Sequence, residues 1–253
     1  MTIDAAVDRL REATRTMTPC PPVRDLIGRD DISTAYAVQR VLVADRLAAG
    51  ARVVGRKIGL TSPAVQQQLG VDRPDFGVLF ADMEIANGGV VPAGQLLQPK
   101  IEAEVAFVLG RDLDDDGDVR DAVAFVVPAL EIVDSRIADW DISFGDTVAD
   151  NASSGLFVLG DARATLADVV PADVRMAMRL DAETVSEGSG KACLGDPLNA
   201  LAWLARTARN LGEPLRRGQI ILSGALGPMV AATPGAKVDA ELTGLGRVAV
   251  AFS

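Results

Sequence analysis

Histidine is absent from this 253-residue chain, and that absence narrows the chemistry more than any residue present. Histidine supplies most biological general bases and is the commonest zinc ligand. A Ser-His-Asp triad, Cys-His catalysis, HExxH zinc chemistry and a histidine-bound haem are therefore excluded. Cysteine is nearly as scarce: Cys20 and Cys193 alone are too few for an all-cysteine zinc site and make no disulfide framework in a chain this long. Any metal must sit on oxygen ligands. Positive charge is also in deficit, with 25 Lys+Arg against 35 Asp+Glu and a net charge of -10, a sign that repels phosphate backbones and anionic lipid. No stretch approaches the ~18 uninterrupted apolar residues of a membrane span. Asp4, Asp8 and Glu12 interrupt the apolar positions of the N-terminus, which no signal-peptide core would tolerate. The expectation is a cytoplasmic protein with neither nucleic acid nor membrane as a partner.

What is present reads as an α+β protein. The composition, 49% hydrophobic and 24% charged, is that of a folded chain, and roughly 150 residues per domain allows one to two domains. Residues 1–50 read as a helical segment. Ile3, Val7 and Leu10 stand at helical spacing, and Asp31 is placed to cap a second helix through Ala35, Val38, Val41, Leu42 and Leu47. Its apolar stripe either covers the rest of the fold or makes an oligomer contact. From Val53 the texture changes to short apolar runs broken by Gly, Pro and Asp, so residues 51–253 form a β-rich body. Strands are expected over 101–109, 129–133, 174–180, 220–222, 237–242 and 247–252, the last two as a hairpin around Gly244 and Gly246. One clear helix interrupts them, capped by Asp196, with Pro197 in its first turn and Gly212 at its end. Strands and helices do not alternate, so a mixed or antiparallel roll is favoured over a TIM barrel or a doubly wound sheet.

The strongest local signal is Pro99-Lys100-Ile101-Glu102-Ala103-Glu104-Val105. On a strand, Glu102 and Glu104 project to one face and the apolar residues to the other. Two like charges so close require a cation between them or a solvated edge. Glu131 is a third acid, lying alone in an apolar stretch where it needs a partner or a route to the surface. If its strand pairs near the first, three hard oxygen ligands converge, a set that suits Mg2+ or Mn2+ better than zinc. Lys57, between glycines and apolar residues, is a surface lysine, a lysine that loses its proton near neutrality, or a fixed cation for a carboxylate substrate. Asp75 reads equally as a turn former, and Ser153 and Ser154 as polar loop groups. Asp112-Leu113-Asp114-Asp115-Asp116-Gly117 imitates half of an EF-hand, but Val123 stands where the closing Glu is required; it is an acidic turn. The glycines near 224–246 match neither a GxGxxG nor a Walker A pattern.

The ordered set Lys57-Ile58-Gly59-Leu60-Thr61, Pro74-Asp75-Phe76-Gly77, Glu102-Ala103-Glu104, Glu131, Asp150-Asn151-Ala152-Ser153-Ser154 and Leu222-Ser223-Gly224 resembles the 2-keto-4-pentenoate hydratase and 2-oxo-3-hexenedioate decarboxylase family, over essentially the whole chain. The resemblance implies the fumarylacetoacetate hydrolase C-terminal fold, a mixed β-roll, with a helical N-terminal segment. It implies Glu102, Glu104 and Glu131 as ligands of Mg2+ or Mn2+, Lys57 and Asp75 as the acid-base groups, and Leu60 and Ser153 as substrate contacts. The implied activity is hydration of 2-hydroxypenta-2,4-dienoate to 4-hydroxy-2-oxopentanoate in meta-cleavage aromatic or steroid catabolism. The alternative is decarboxylation of 2-oxo-3-hexenedioate, which needs a cationic subsite for a second carboxylate; Arg136 and Lys100 are the candidates. A non-catalytic complex subunit and a β-diketone hydrolase are the remaining readings, the latter lacking its usual histidine. The resemblance also implies a small 2-keto acid as ligand, a homo-oligomer, and room for a complex with a pathway aldolase or decarboxylase.

Overall fold

The computed structural model describes residues 2–62, 66 and 73–253. Three helices come first: α1 (Thr2–Thr16), α2 (Arg24–Ile27) and α3 (Ile32–Ala48). The buried stripe of α1 is Ala6, Val7, Leu10 and Ala13, the three-to-four spacing of an amphipathic helix. Asp31 caps α3 as expected, accepting the Thr34 N–H at 3.0 Å. These helices do not form a core by themselves. They pack around Ile137 and around Phe144, Val148 and Ala149 of a short mid-chain helix, α4 (Phe144–Ala149). Sequence periodicity had no purchase on α4: it is six residues long, and a capping box between Ser143 and Asp146 starts it. Gln39 of α3 ties this layer to the body, donating to the carbonyls of Phe76 and Val148 at 3.0 Å each.

The body consists of two sheets. In the larger, the order is β2 (Asp75–Phe80), β1 (Val53–Gly59), β10 (Ile220–Ala225), β5 (Lys100–Leu109), β6 (Val123–Val133), β7 (Ser154–Leu159), β3 (Glu84–Ile85), with β11 (Val230–Ala231) added on β5. The β1–β10 and β3–β7 pairs are parallel and the others antiparallel. The smaller sheet runs β4 (Val90–Val91), β13 (Gly246–Phe252), β12 (Lys237–Leu242), β8 (Arg175–Leu180), β9 (Glu183–Ser189). Apolar residues of both sheets and of the helix α5 (Pro197–Asn210) form one continuous core. The mixed roll and its helical cover are as expected from the sequence. Among the described residues, no helix is long and apolar enough to cross a membrane.

All six expected strands are present, and Asp196 caps α5 through the Leu198 N–H. β6 starts at Val123 rather than 129, running through Pro128. A proline is tolerated there because its carbonyl, which accepts the Gly160 N–H at 2.8 Å, and hence its nitrogen face the side where β7 has already ended at Leu159. β1, β2, β3, β4, β7, β9 and β11 were not among the expected strands. Lys57, Arg56 and Asp75 are buried in the first two, and charged residues there broke the apolar pattern by which strands are recognised. In the acidic turn at 112–117 every residue but the buried Leu113 is exposed, with Asp112 and Asp114 paired to Arg216. Both cysteines are free and buried.

Candidate active site

Strand β5 lies inside the larger sheet between β10 and β6, and residues 101–107 are buried on both faces. The solvated-edge reading of Glu102 and Glu104 is thereby excluded. Glu102 stands directly opposite Glu131 in the β5–β6 register, so the two-residue strand period puts all three carboxylates on one face. One oxygen of each lies within 4.8 Å of the others. Glu104 is anchored further: Oε2 accepts the Gly224 N–H at 2.7 Å, offered where β10 departs from regular pairing between Leu222 and Ala225. Gly224 has φ +112°, and a β-carbon there would overlap Thr61, so the position requires glycine.

Among the described residues, Glu104 Oε1 and both Glu131 oxygens receive no hydrogen bond. Buried carboxylate oxygens left unpartnered cost several kcal/mol each in desolvation, and native proteins rarely carry them. Burial and then the neighbouring acids raise Glu102 to about 7 and Glu104 well above the usual carboxylate range. Three converging hard oxygens, with free lone pairs left on Glu104 and Glu131, fit a divalent cation of the oxygen-preferring kind.

Lys57 and Asp75 sit beside this cluster. Lys57, on β1, places Nζ 3.1 Å from Glu131 Oε1 and donates to the Ala152 carbonyl at 2.9 Å. Burial by itself would lower its pKa, but the charges of Glu131, Asp75, Glu102 and Glu104 outweigh it and hold the ammonium above the ordinary lysine range. Of the three readings left open for Lys57, burial excludes the surface lysine. Asp75 opens β2 and is buried, not a surface turn. Burial raises it to about 6 against the opposing pull of Lys57, and its Oδ1 has no hydrogen-bond partner.

Lys57, Leu60, Asp75, Glu102 and Ser153 line a single cleft of about 900 Å³. Glu104 and Glu131 join it through the carboxylate cluster. Leu60 adopts φ +56°. Ser153 Oγ lies 3.1 Å from Thr147 Oγ1. Ser153 belongs to a run of three left-handed residues, Asn151, Ala152 and Ser153, at φ +54°, +53° and +51°; a non-glycine residue in that region costs roughly 1–2 kcal/mol. Of the two candidate cations for a second carboxylate, Lys100 lines the cleft, with Nζ 4.3 Å from the centre of the Trp140 ring. Arg136 does not. It is tied to Asp150 and faces a separate cavity of about 460 Å³ under α1 and α3, so Arg136 is withdrawn as a subsite for the distal carboxylate.

Sequence reasoning missed three contributors. Arg29, from the loop before α3, lines the cleft, and nothing in its surroundings in the chain marked it. The Ala152 carbonyl and the Gly224 N–H are main-chain groups, which carry no residue-type signal.

Residues 53–252 match the family described as fumarylacetoacetate (FAA) hydrolase C-terminal. The chain is 54% identical over 252 residues to a protein of Pseudomonas putida (strain F1) named TodF product hydratase, covering 98% of this chain and 94% of the relative. It is 52% identical over 257 residues to 2-keto-4-pentenoate hydratase 2 of Dechloromonas aromatica, covering 100% and 98%. Among solved structures it resembles 4-oxalocrotonate decarboxylase from Pseudomonas putida G7, complexed with magnesium and adipate, at a TM-score of 0.94 and 33% identity over 99% of this chain and 97% of that one.

Proposed function

Because this chain belongs to the fumarylacetoacetate hydrolase C-terminal family, we propose that it is a divalent-metal-dependent hydro-lyase that adds water to 2-hydroxypenta-2,4-dienoate, giving 4-hydroxy-2-oxopentanoate. The observation that carries the reading is the meeting of three buried carboxylates, Glu102, Glu104 and Glu131, with Lys57 and Asp75 at one cleft. The preference for hydration over decarboxylation rests on the relatives: 54% and 52% identity to proteins named hydratases against 33% to the decarboxylase.

Glu102, Glu104 and Glu131 would hold Mg2+ or Mn2+. When bound, the cation withdraws electrons from the 2-oxo acid end of the substrate and stabilises negative charge developing there. In this reading residues 51–253 form the catalytic unit and residues 1–50 its helical cover, which brings Arg29 to the cleft. The resemblance also implies a homo-oligomer, which sedimentation would test.

The reaction needs proton transfers at both ends of the conjugated chain. Moving the 2-hydroxyl proton to the fifth carbon leaves a ketone with its double bond between the third and fourth carbons. Water oxygen then bonds to the fourth carbon, one of its protons leaves, and a proton is delivered to the third. Lys57, held between the Glu131 carboxylate and the Ala152 carbonyl, acts as a fixed positive charge that orients the anionic substrate. Asp75 Oδ1 is unpartnered and accepts and returns the mobile proton. Leu60 and Ser153 contact the substrate, and Ser153 is oriented by Thr147.

The test is direct. Purified protein with Mg2+ or Mn2+ is expected to bleach the ultraviolet band of 2-hydroxypenta-2,4-dienoate and yield 4-hydroxy-2-oxopentanoate. CO2 release from 2-oxo-3-hexenedioate, with the dienoate untouched, would replace this reading by the decarboxylase.

A further inference from the structure

We infer that Asn151 is a positioning residue for Lys57: its side-chain amide clamps the backbone of β2 and so holds the left-handed turn whose Ala152 carbonyl fixes the Lys57 ammonium. The inference deepens the proposed function, since it takes Lys57 as part of the reaction.

Three consecutive non-glycine residues at positive φ do not form by local preference. Asparagine tolerates the left-handed region better than most residues, but alanine and serine have no such allowance. Something outside the turn must hold it. β2 is an edge strand of the larger sheet, and Asn151 supplies its edge with a substitute neighbour. Asn151 Oδ1 accepts the Val78 N–H at 2.8 Å, and Asn151 Nδ2 donates to the Val78 carbonyl at 3.0 Å. The amide thus makes both hydrogen bonds that a pairing strand would make. The backbone of the turn is held as well. Ser154 Oγ donates to the Asn151 carbonyl at 2.7 Å, and the Ser153 carbonyl accepts the Asp134 N–H at 2.8 Å. Gly77 makes the approach possible, because a β-carbon there would overlap the Asn151 carbonyl and stand 2.6 Å from Ser154 Oγ.

The register converts this clamp into a position for the ammonium. Gly77 lies opposite Lys57 in the β1–β2 pair, and Val78 opposite Arg56. The turn is therefore docked on the stretch of β2 that backs Lys57, and its middle carbonyl arrives 2.9 Å from Nζ. Glu131 attracts the same ammonium at 3.1 Å. Without the carbonyl, the ammonium loses one of the two groups that fix its position and is drawn toward Glu131.

The test uses Asn151→Gly, which keeps the left-handed backbone and removes the clamp, and Asn151→Asp, which keeps the acceptor and sets a second oxygen against the Val78 carbonyl. Ser154→Ala is the milder third variant. The chain has four lysines, Lys57, Lys100, Lys191 and Lys237, so 15N-lysine labelling gives four side-chain signals, with that of Lys57 assigned by its absence in Lys57→Arg. The expected result in the magnesium-loaded enzyme is a shifted, faster-exchanging Lys57 signal in the Asn151 variants. A fall in kcat of about ten-fold or more should accompany it, while KM and magnesium affinity stay within about two-fold. Ser154→Ala moves the same signal less. If the parent protein does not turn over the dienoate, the proposed function falls and the lysine signal still decides this inference. An unchanged Lys57 signal in the folded variants would overturn it, as would magnesium affinity falling in step with kcat.

Discussion

Gly59 and Asp75 face one another across the β1–β2 pair, and the Asp75 carboxylate occupies the space that a β-carbon on Gly59 would fill. The same β-carbon would stand 3.4 Å from Lys57 Nζ, so one missing methyl group leaves room for both side chains at the cleft. Gly59→Ala is expected to displace Asp75 and lower kcat by about 100-fold, the scale of a 1 Å misplacement at a reacting centre. Magnesium affinity, measured by titration calorimetry, should hold, because the atoms nearest that β-carbon belong to Asp75 and Lys57. Asp75→Asn should lower kcat by about 10²–10⁴, the usual contribution of a general base, again with metal binding intact. Normal turnover in Asp75→Asn would remove Asp75 from the mechanism.

Glu104→Gln separates metal holding from fold. It is expected to weaken magnesium binding by at least about ten-fold and to lower activity in parallel. Near neutral pH the metal-free variant should melt at a higher temperature than the metal-free parent, because a neutral amide is buried without the proton uptake that the crowded Glu104 requires. Unchanged metal affinity would end the ligand assignment.

The crowded acids also set how the metal-free protein responds to pH. Asp75, Glu102 and Glu104 ionise at higher pH folded than their ordinary values of 3.8, 4.5 and 4.5, near 6 and 7 for the first two. Between the ordinary and the raised values the folded chain holds more protons than the unfolded one. Stability therefore falls as pH rises through that window, by about 1.4 kcal/mol per pH unit for each proton of difference. Lys57 stays protonated throughout and adds no slope. With chelator present, the melting temperature should drop between pH 4.5 and 7.5. Added magnesium should restore more at pH 7.5 than at pH 4.5. A flat melting profile with chelator would contradict the buried, clustered state of these acids.

Lys57→Met leaves Glu131 without its buried counter-charge. The metal-free variant is expected to lose about 3–5 kcal/mol at pH 8, read from the urea midpoint, with a smaller loss at pH 5 where the neighbouring acids are protonated. Equal midpoints for variant and parent at pH 8 would show that the 3.1 Å pair contributes nothing.

How far the site was legible can be followed residue by residue. Glu102 and Glu104 announced a shared face because the strand period is local arithmetic, and Asp31 and Asp196 announced helix starts because a cap acts within three residues. Lys57 and Asp75 were visible as residues but not as strand members. Each is a charge in a segment that folds as a buried strand, and the pattern by which strands are recognised assumes that buried positions are apolar. Arg136 was misplaced for a different reason: a long cation is committed by whichever carboxylate it meets in space, and Asp150 lies on the side away from the cleft.

The amino-acid order alone determined the chemistry that is allowed: no histidine, hence no triad, and oxygen ligands for any metal. It also determined the two-part layout of helices and roll, because composition and short-range periodicity need no partner. Only tertiary structure decided that Glu131 lies opposite Glu102, that Ala152 and Gly224 lend main-chain groups to Lys57 and Glu104, and that Arg29 reaches the cleft. Strand register and the docking of turns are set by which distant segments pack together. A carbonyl or an N–H is the same in every residue that bears it until the fold gives it a neighbour.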